Sequence, residues 1–170
     1  MRDVFFYPLL ILVVAGIVFA AYWPSRTYDV PSVEDIRRDG YSVAKDTLPL
    51  LSAAPGTIIE FDTKPVQYAI LSSNLPRDMV PPSAGVFATI NPVYAHEFMG
   101  KRVKVSVRAR KGRDNPLDVL QLAYFTAAAG DSAWHRFELG DAFSDFSFDY
   151  DVPTYTASDH VNYVGIWPGD

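Results

Sequence analysis

Arg102-Val-Lys-Val-Ser-Val-Arg-Ala-Arg110 alternates without a fault. Val103, Val105, Val107 and Ala109 fall on one side; Arg102, Lys104, Ser106, Arg108 and Arg110 fall on the other. Successive side chains of an extended backbone point to opposite faces, so this period of two marks a strand with one buried and one wetted face. Lys111-Gly-Arg-Asp-Asn-Pro116 supplies the turn that follows. Leu117 to Thr126 is apolar almost throughout, the pattern of a central strand covered on both faces.

Downstream, Gly130-Asp131-Ser132 turns the chain into Trp134-His-Arg-Phe-Glu-Leu139. Phe146-Ser-Phe-Asp-Tyr-Asp-Val152 alternates again, with Phe146, Phe148, Tyr150 and Val152 inward, and Pro153 ends it. Tyr163-Val-Gly-Ile-Trp167 is the last strand. Upstream, Gly85-Val-Phe-Ala-Thr-Ile90 is a strand stopped by Asn91-Pro92, and Pro76, Pro81 and Pro82 make residues 75–84 a loop. Thr57 to Phe61 and Val66 to Leu71 read as strands on either side of a Thr-Lys-Pro turn. Ser32 is placed to cap a short helix through Arg38, with Asp35 at its third position and Gly40 closing it. About seven to nine short strands divided by turn signals predict an antiparallel β-sandwich.

Composition agrees. Aromatic residues make up 14% of the 170, and such residues fit pleated sheets. The net charge of −5 argues against nucleic acid as a partner, since phosphate contacts need a net basic surface. With no cysteine, disulfides, thiolate metal sites and cysteine nucleophiles drop out.

The N-terminus is of another kind. Val4 to Trp23 holds twenty residues without a charge. As a helix that run is about 30 Å long, the hydrocarbon thickness of a bilayer. Phe5, Phe6, Leu9, Leu12 and Phe19 would face lipid, Gly16 would admit a neighbouring helix, and Tyr22 and Trp23 suit a water–lipid interface. The rival reading is a cleaved signal peptide, with Val18 and Ala20 before a mature start at Ala21; the apolar run is longer than such a segment needs. The expected layout is a transmembrane anchor over residues 1–24, a linker over 25–31 and a periplasmic β-sandwich domain over 32–170. The chain would then be a single-pass protein of a bacterial inner membrane. Arg2 on one side against Arg26, Arg37 and Arg38 on the other gives only a weak charge bias, so the short N-terminus sets the orientation.

Five stretches stand in a suggestive order: Gly100-Lys-Arg-Val-Lys-Val-Ser-Val-Arg-Ala-Arg110, Leu122-Ala-Tyr-Phe-Thr126, Trp134 with Phe137, Phe148-Asp-Tyr-Asp-Val-Pro153, and Val164-Gly-Ile-Trp-Pro168. Together, residues 85–168 resemble the later strands of jelly-roll domains in the galactose-binding-like group, which includes many carbohydrate-binding modules. The resemblance implies a mainly β fold of the jelly-roll antiparallel sandwich type. It leaves function open between glycan binding, protein interaction and a structural role. Glycan modules of that group stack exposed aromatics on sugar faces, and Trp134, Tyr155 and Trp167 are the rings that would serve here. Some relatives hold a structural calcium in acidic loops, but no loop pattern here assigns one.

Catalytic chemistry is hard to find. Asp149 and Asp151 share a strand face, but it is the face opposite Phe148 and Tyr150, and so a solvated one. His96, His135 and His160 lie in separate segments without ligand spacing. There is no Gly-x-Ser-x-Gly elbow, phosphate loop or dinucleotide fingerprint, so the expectation is no enzyme and no cofactor. Arg102, Lys104, Arg108, Arg110, Lys111 and Arg113 place six cations in twelve residues. They form either a contact face for anionic lipid or an acidic partner, or a solvated sheet face set against Glu138, Asp141, Asp145, Asp149 and Asp151. Two functions remain: a non-catalytic accessory subunit of an inner-membrane complex, touching lipid and integral membrane proteins, or a membrane-tethered carbohydrate-binding module that takes a glycan.

Overall fold

The computed structural model describes residues 13, 30–62, 68–114, 116–127, 129–155 and 160–170. Of the proposed span, Phe5, Phe6, Leu9, Leu12, Gly16, Phe19, Tyr22 and Trp23 lie outside the described residues, as does most of the linker. Among the described residues no helix is long and apolar enough to cross a membrane. The account below concerns the unit Pro31–Asp170.

The unit is mainly β, and its strand pairs are antiparallel. In chain order the strands are β1 (Ser52–Ala53), β2 (Thr57–Asp62), β3 (Tyr68–Ser73), β4 (Val86–Ile90), β5 (Arg102–Ala109), β6 (Val119–Thr126), β7 (Gly130–Asp131), β8 (His135–Glu138), β9 (Ser144–Asp151) and β10 (Asn162–Pro168). The short helix α1 (Val33–Asp39) precedes the strands, and α2 (Pro92–Phe98) links β4 to β5.

β6 is the central strand. One edge pairs with β10, from Asn162 opposite Thr126 to Pro168 opposite Leu120. The other edge takes β8 along Val119–Leu122 and β7 at Phe125 and Thr126. Flanked this way, Val119 to Tyr124 are all buried, as the continuous apolar run predicts. The β5–β9 ladder lies across from it. Val105 with Val103, Val107, Phe148 and Tyr150 pack into one cluster with Leu122 and Tyr124 of β6, Ile90 of β4, and Val164 and Ile166 of β10. The faces of β5 and β9 assigned from alternation are therefore the observed ones.

β4 reaches β10 through a single isolated bridge of parallel type, Gly85 to Ile166. The approach is so close that a Cβ on Gly85 would overlap the Ile166 carbonyl oxygen, and one on Gly165 would overlap the Ala84 carbonyl oxygen. Gly85 also has φ +68, a conformation that L side chains rarely adopt. Two backbones pass this tightly because at each contact one of the two residues is glycine.

α1 forms where its capping signals place it. The Ser32 hydroxyl accepts from the Asp35 amide at 3.2 Å, Asp35 accepts in return from the Ser32 amide, and Gly40 closes the helix as expected, with Asp39 its last residue, one beyond Arg38. α2 is a correction. Asn91-Pro92 stops β4 as expected, but it also starts a helix: Asn91 Oδ1 accepts from the Val93 amide at 3.1 Å, and Pro92 takes the first helical turn, where no amide is needed. Arg37 then joins the two helices through a two-pronged pair with Glu97, at 3.0 and 2.9 Å.

Two substitution pairs test this fold. Gly165→Ala should cost at least about 1–3 kcal/mol in denaturant unfolding, because the collision is with backbone rather than with a movable side chain. Gly140→Ala, which meets nothing within 4 Å, should be neutral within about 0.5 kcal/mol. Likewise Phe148→Ala should cost about 3 kcal/mol and Asp149→Ala less than about 1 kcal/mol; equal losses would refute the assigned faces.

Candidate functional site

The proline loop after β3 is held down at several points. Ser73 Oγ donates to the Pro168 carbonyl at 2.6 Å, and the Asn74 amide donates to the Gly56 carbonyl at 3.2 Å. A short 3-10 turn, Arg77–Met79, follows. Between this loop, Leu117, Gln121 and Arg136 lies an open cleft of about 810 Å³, rimmed by Asp78 and Asp170.

Gln121 is the organising side chain. It is only 7% exposed, one polar residue in the apolar β6 strand. Its Nε2 donates to the Gly169 carbonyl at 3.1 Å, and its Oε1 accepts from Arg77 Nε at 3.1 Å. The Arg77 guanidinium carbon sits 5.7 Å from the centre of the Trp134 ring, within cation–π range. Trp134 in turn meets Phe125 edge-on at 5.4 Å. On the far wall, Arg136 Nε donates to Asp170 Oδ1 at 2.8 Å, and this bond holds the Asp170 carboxyl below its usual range.

The expected ligand-stacking rings therefore separate. Trp167 is completely buried, so it offers no face to a ligand, and its indole N–H has no hydrogen-bond partner among the described residues. Trp134 is half-buried beside the cleft and precedes β8 rather than leading it. Tyr155 is half-buried, and its hydroxyl donates to Asn162 Oδ1 at 3.0 Å. The structure does not bring these three rings onto one exposed platform.

The basic ladder is a cross-strand arrangement. In the β5–β9 register Arg102 lies opposite Asp151, Lys104 opposite Asp149 and Arg108 opposite Asp145. Arg102 also reaches Asp149 diagonally, at 3.4 Å. Arg110 has turned off the strand, with its guanidinium 5.1 Å from the centre of the Phe143 ring, and Lys111 pairs with Asp118 at 2.6 Å. Among the described residues Arg102 and Lys111 make ion pairs, while Lys104 and Arg108 only lie opposite acids in the register.

Of the histidines, His96 and His160 are exposed, and His135 stacks on Phe148 at 3.8 Å with Nε2 3.1 Å from the Ser132 carbonyl. Among the described residues no group of three His, Cys, Asp or Glu could hold a metal ion.

Sequence patterns did not single out Arg77, Gln121 or Arg136. The one available signal was Gln121 itself, since a buried polar residue inside a largely apolar strand must find partners. Compared with protein-family models, curated proteins and solved structures, the chain matches none.

One further buried group titrates. Asn162, fully buried, donates from Nδ2 to the Tyr124 hydroxyl at 2.9 Å. Burial pushes the Tyr124 hydroxyl up to about 12, against the opposing effect of that hydrogen bond. An unfolded tyrosine titrates near 10. Below that value neither state ionises, so stability is intact; between about 10 and 12 only the unfolded chain ionises, so stability falls by about 1.4 kcal/mol per pH unit. Unfolding at about pH 9 and about pH 11 should show this loss in the native chain, and Tyr124→Phe should lack that share of it.

Proposed function

We propose that this chain is a non-catalytic accessory subunit of a bacterial inner-membrane complex. A single helix over residues 1–24 anchors it, residues 25–31 link, and residues 32–170 form a jelly-roll β-sandwich of the galactose-binding-like kind on the periplasmic side. The observation that carries this reading is the uncharged run Val4 to Trp23, whose length matches the bilayer core.

The surface of the β2–β3 hairpin supports a protein partner. Ile58 lies opposite Ser72, and Ile70 opposite Glu60, so the two isoleucines are diagonal neighbours on one face. They are 49% and 46% exposed, and Phe61 on the other face is 41% exposed. Large apolar side chains showing on both faces of one hairpin favour an element covered by another molecule. The alternative, a tethered carbohydrate-binding module, draws on Trp134 and Tyr155, which keep partial exposure.

After alkaline and high-salt washes the full-length chain is expected in the membrane pellet, because charge does not hold an apolar span. In mild detergent it should co-purify with integral membrane proteins in fixed ratio. A native N-terminus at Ala21 would replace the anchor by a signal peptide. Saturable retention on an envelope polysaccharide, lost in Trp134→Ala, would favour the glycan module instead.

A further inference from the structure

We propose that the cleft beside Arg77 receives an acidic, extended peptide segment of a protein partner, with a carboxylate gripped by the free end of the Arg77 guanidinium and apolar neighbours against Leu75, Met79 and Leu117. The proposal deepens the accessory-subunit reading and rests on it for the partner being a protein.

Arg77 is set in place before any ligand arrives. Its Nε is bonded to Gln121, and Gln121 is buried and bonded at its other end to Gly169, so the anchor cannot swing away. The guanidinium also lies over Trp134. These contacts occupy Nε and one face of the group. Neither terminal nitrogen meets a carboxylate among the described residues. A planar fork so held matches the two oxygens of a carboxylate, and little side-chain freedom is left to lose on binding.

The other cation of the cleft is spoken for. Arg136 is bonded to Asp170 at 2.8 Å and stands 3.7 Å from Glu138. Among the polar side chains of the cleft stand apolar ones, Leu75, Met79 and Leu117, of which Leu75 is 44% and Met79 70% exposed. That combination suits a carboxylate side chain flanked by apolar residues. Stacking a sugar ring would need a bare aromatic face, whereas Arg77 lies over Trp134 and Phe125 meets it edge-on. Asp78, on the same rim, opposes an anion.

The test uses the full-length chain in mild detergent and fluorescence anisotropy of a labelled, end-capped hexapeptide, Gly-Leu-Glu-Leu-Asp-Gly, beside its Gln/Asn counterpart. The acidic peptide should bind, more weakly as salt rises, and the neutral one should bind at least about tenfold less well. Arg77→Gln should lose the same factor, and Arg77→Lys, which keeps the charge without the fork, should lose part of it. Asp78→Asn should tighten binding, and Lys45→Gln should leave it unchanged. Near-UV circular dichroism of each variant verifies the fold. No binding of the acidic peptide, equal binding of the neutral one, undiminished binding by a folded Arg77→Gln, or displacement by polygalacturonate in preference to peptide would each overturn the proposal. Co-purification separates the two readings. Membrane partners retained undiminished by Arg77→Gln would sink the cleft and leave the subunit. Arg77-dependent peptide binding by a chain that captures no membrane partner would sink the subunit and leave the cleft.

Discussion

Where Gly85 passes Ile166, and Ala84 passes Gly165, two backbones lie so close that neither glycine has room for a methyl group. Much of this end of the molecule depends on that approach. The Gly85 carbonyl accepts from the Ala54 amide at 2.9 Å, which fastens the segment around β1. Trp167, next to the bridge, is sealed from water. The end of β10 then offers its carbonyls to the proline loop: Pro168 to Ser73 and Asp170 to the Arg77 amide at 3.2 Å. The loop that carries Arg77 is therefore placed by the strand end it rests on more than by its own proline-rich sequence.

Charge acts very differently in two places. On the β5–β9 face, cations and carboxylates alternate in register but stay exposed, and each such pair is worth only about 0.2–1 kcal/mol. Their collective effect is on alignment, because a one-residue slip would bring the valines and phenylalanines out to water. Arg77 is half-buried, bonded to a buried amide and stacked on an indole. The conspicuous run of cations thus carries little of the site's character, and a single arginine in a loop carries more.

Legibility followed the range of the interactions involved. The Ser32–Asp35 box and the alternation of β5 and β9 are local signals, and they appear at the expected residues. The alternation from Val66 predicts a strand, and β3 is described from Tyr68. Asn91-Pro92 was ambiguous because one dipeptide can both end a strand and cap a helix. Trp134 and Trp167 could not be told apart from local pattern, since what distinguishes them lies far away in the chain. Trp167 is covered through the Gly85 crossing, while Trp134 faces a loop whose position depends on Pro168 and Asp170. The cleft is likewise assembled from four separate segments and left no contiguous motif.

The register of β6 on β10 illustrates why its few buried polar groups matter. A two-residue slip would keep every side chain on its face, so apolar alternation alone does not forbid it. Two side-chain bonds do. At one end Asn162 of β10 donates to Tyr124 of β6; at the other, Gln121 of β6 donates to the Gly169 carbonyl just past β10. A slip would break both and leave buried amides unsatisfied, at about 1–3 kcal/mol each. Gln121 thus has two tasks, since its other end holds Arg77. The register that fixes the core and the geometry that presents a free guanidinium to the cleft meet in one amide, so a change there would disturb fold and recognition together.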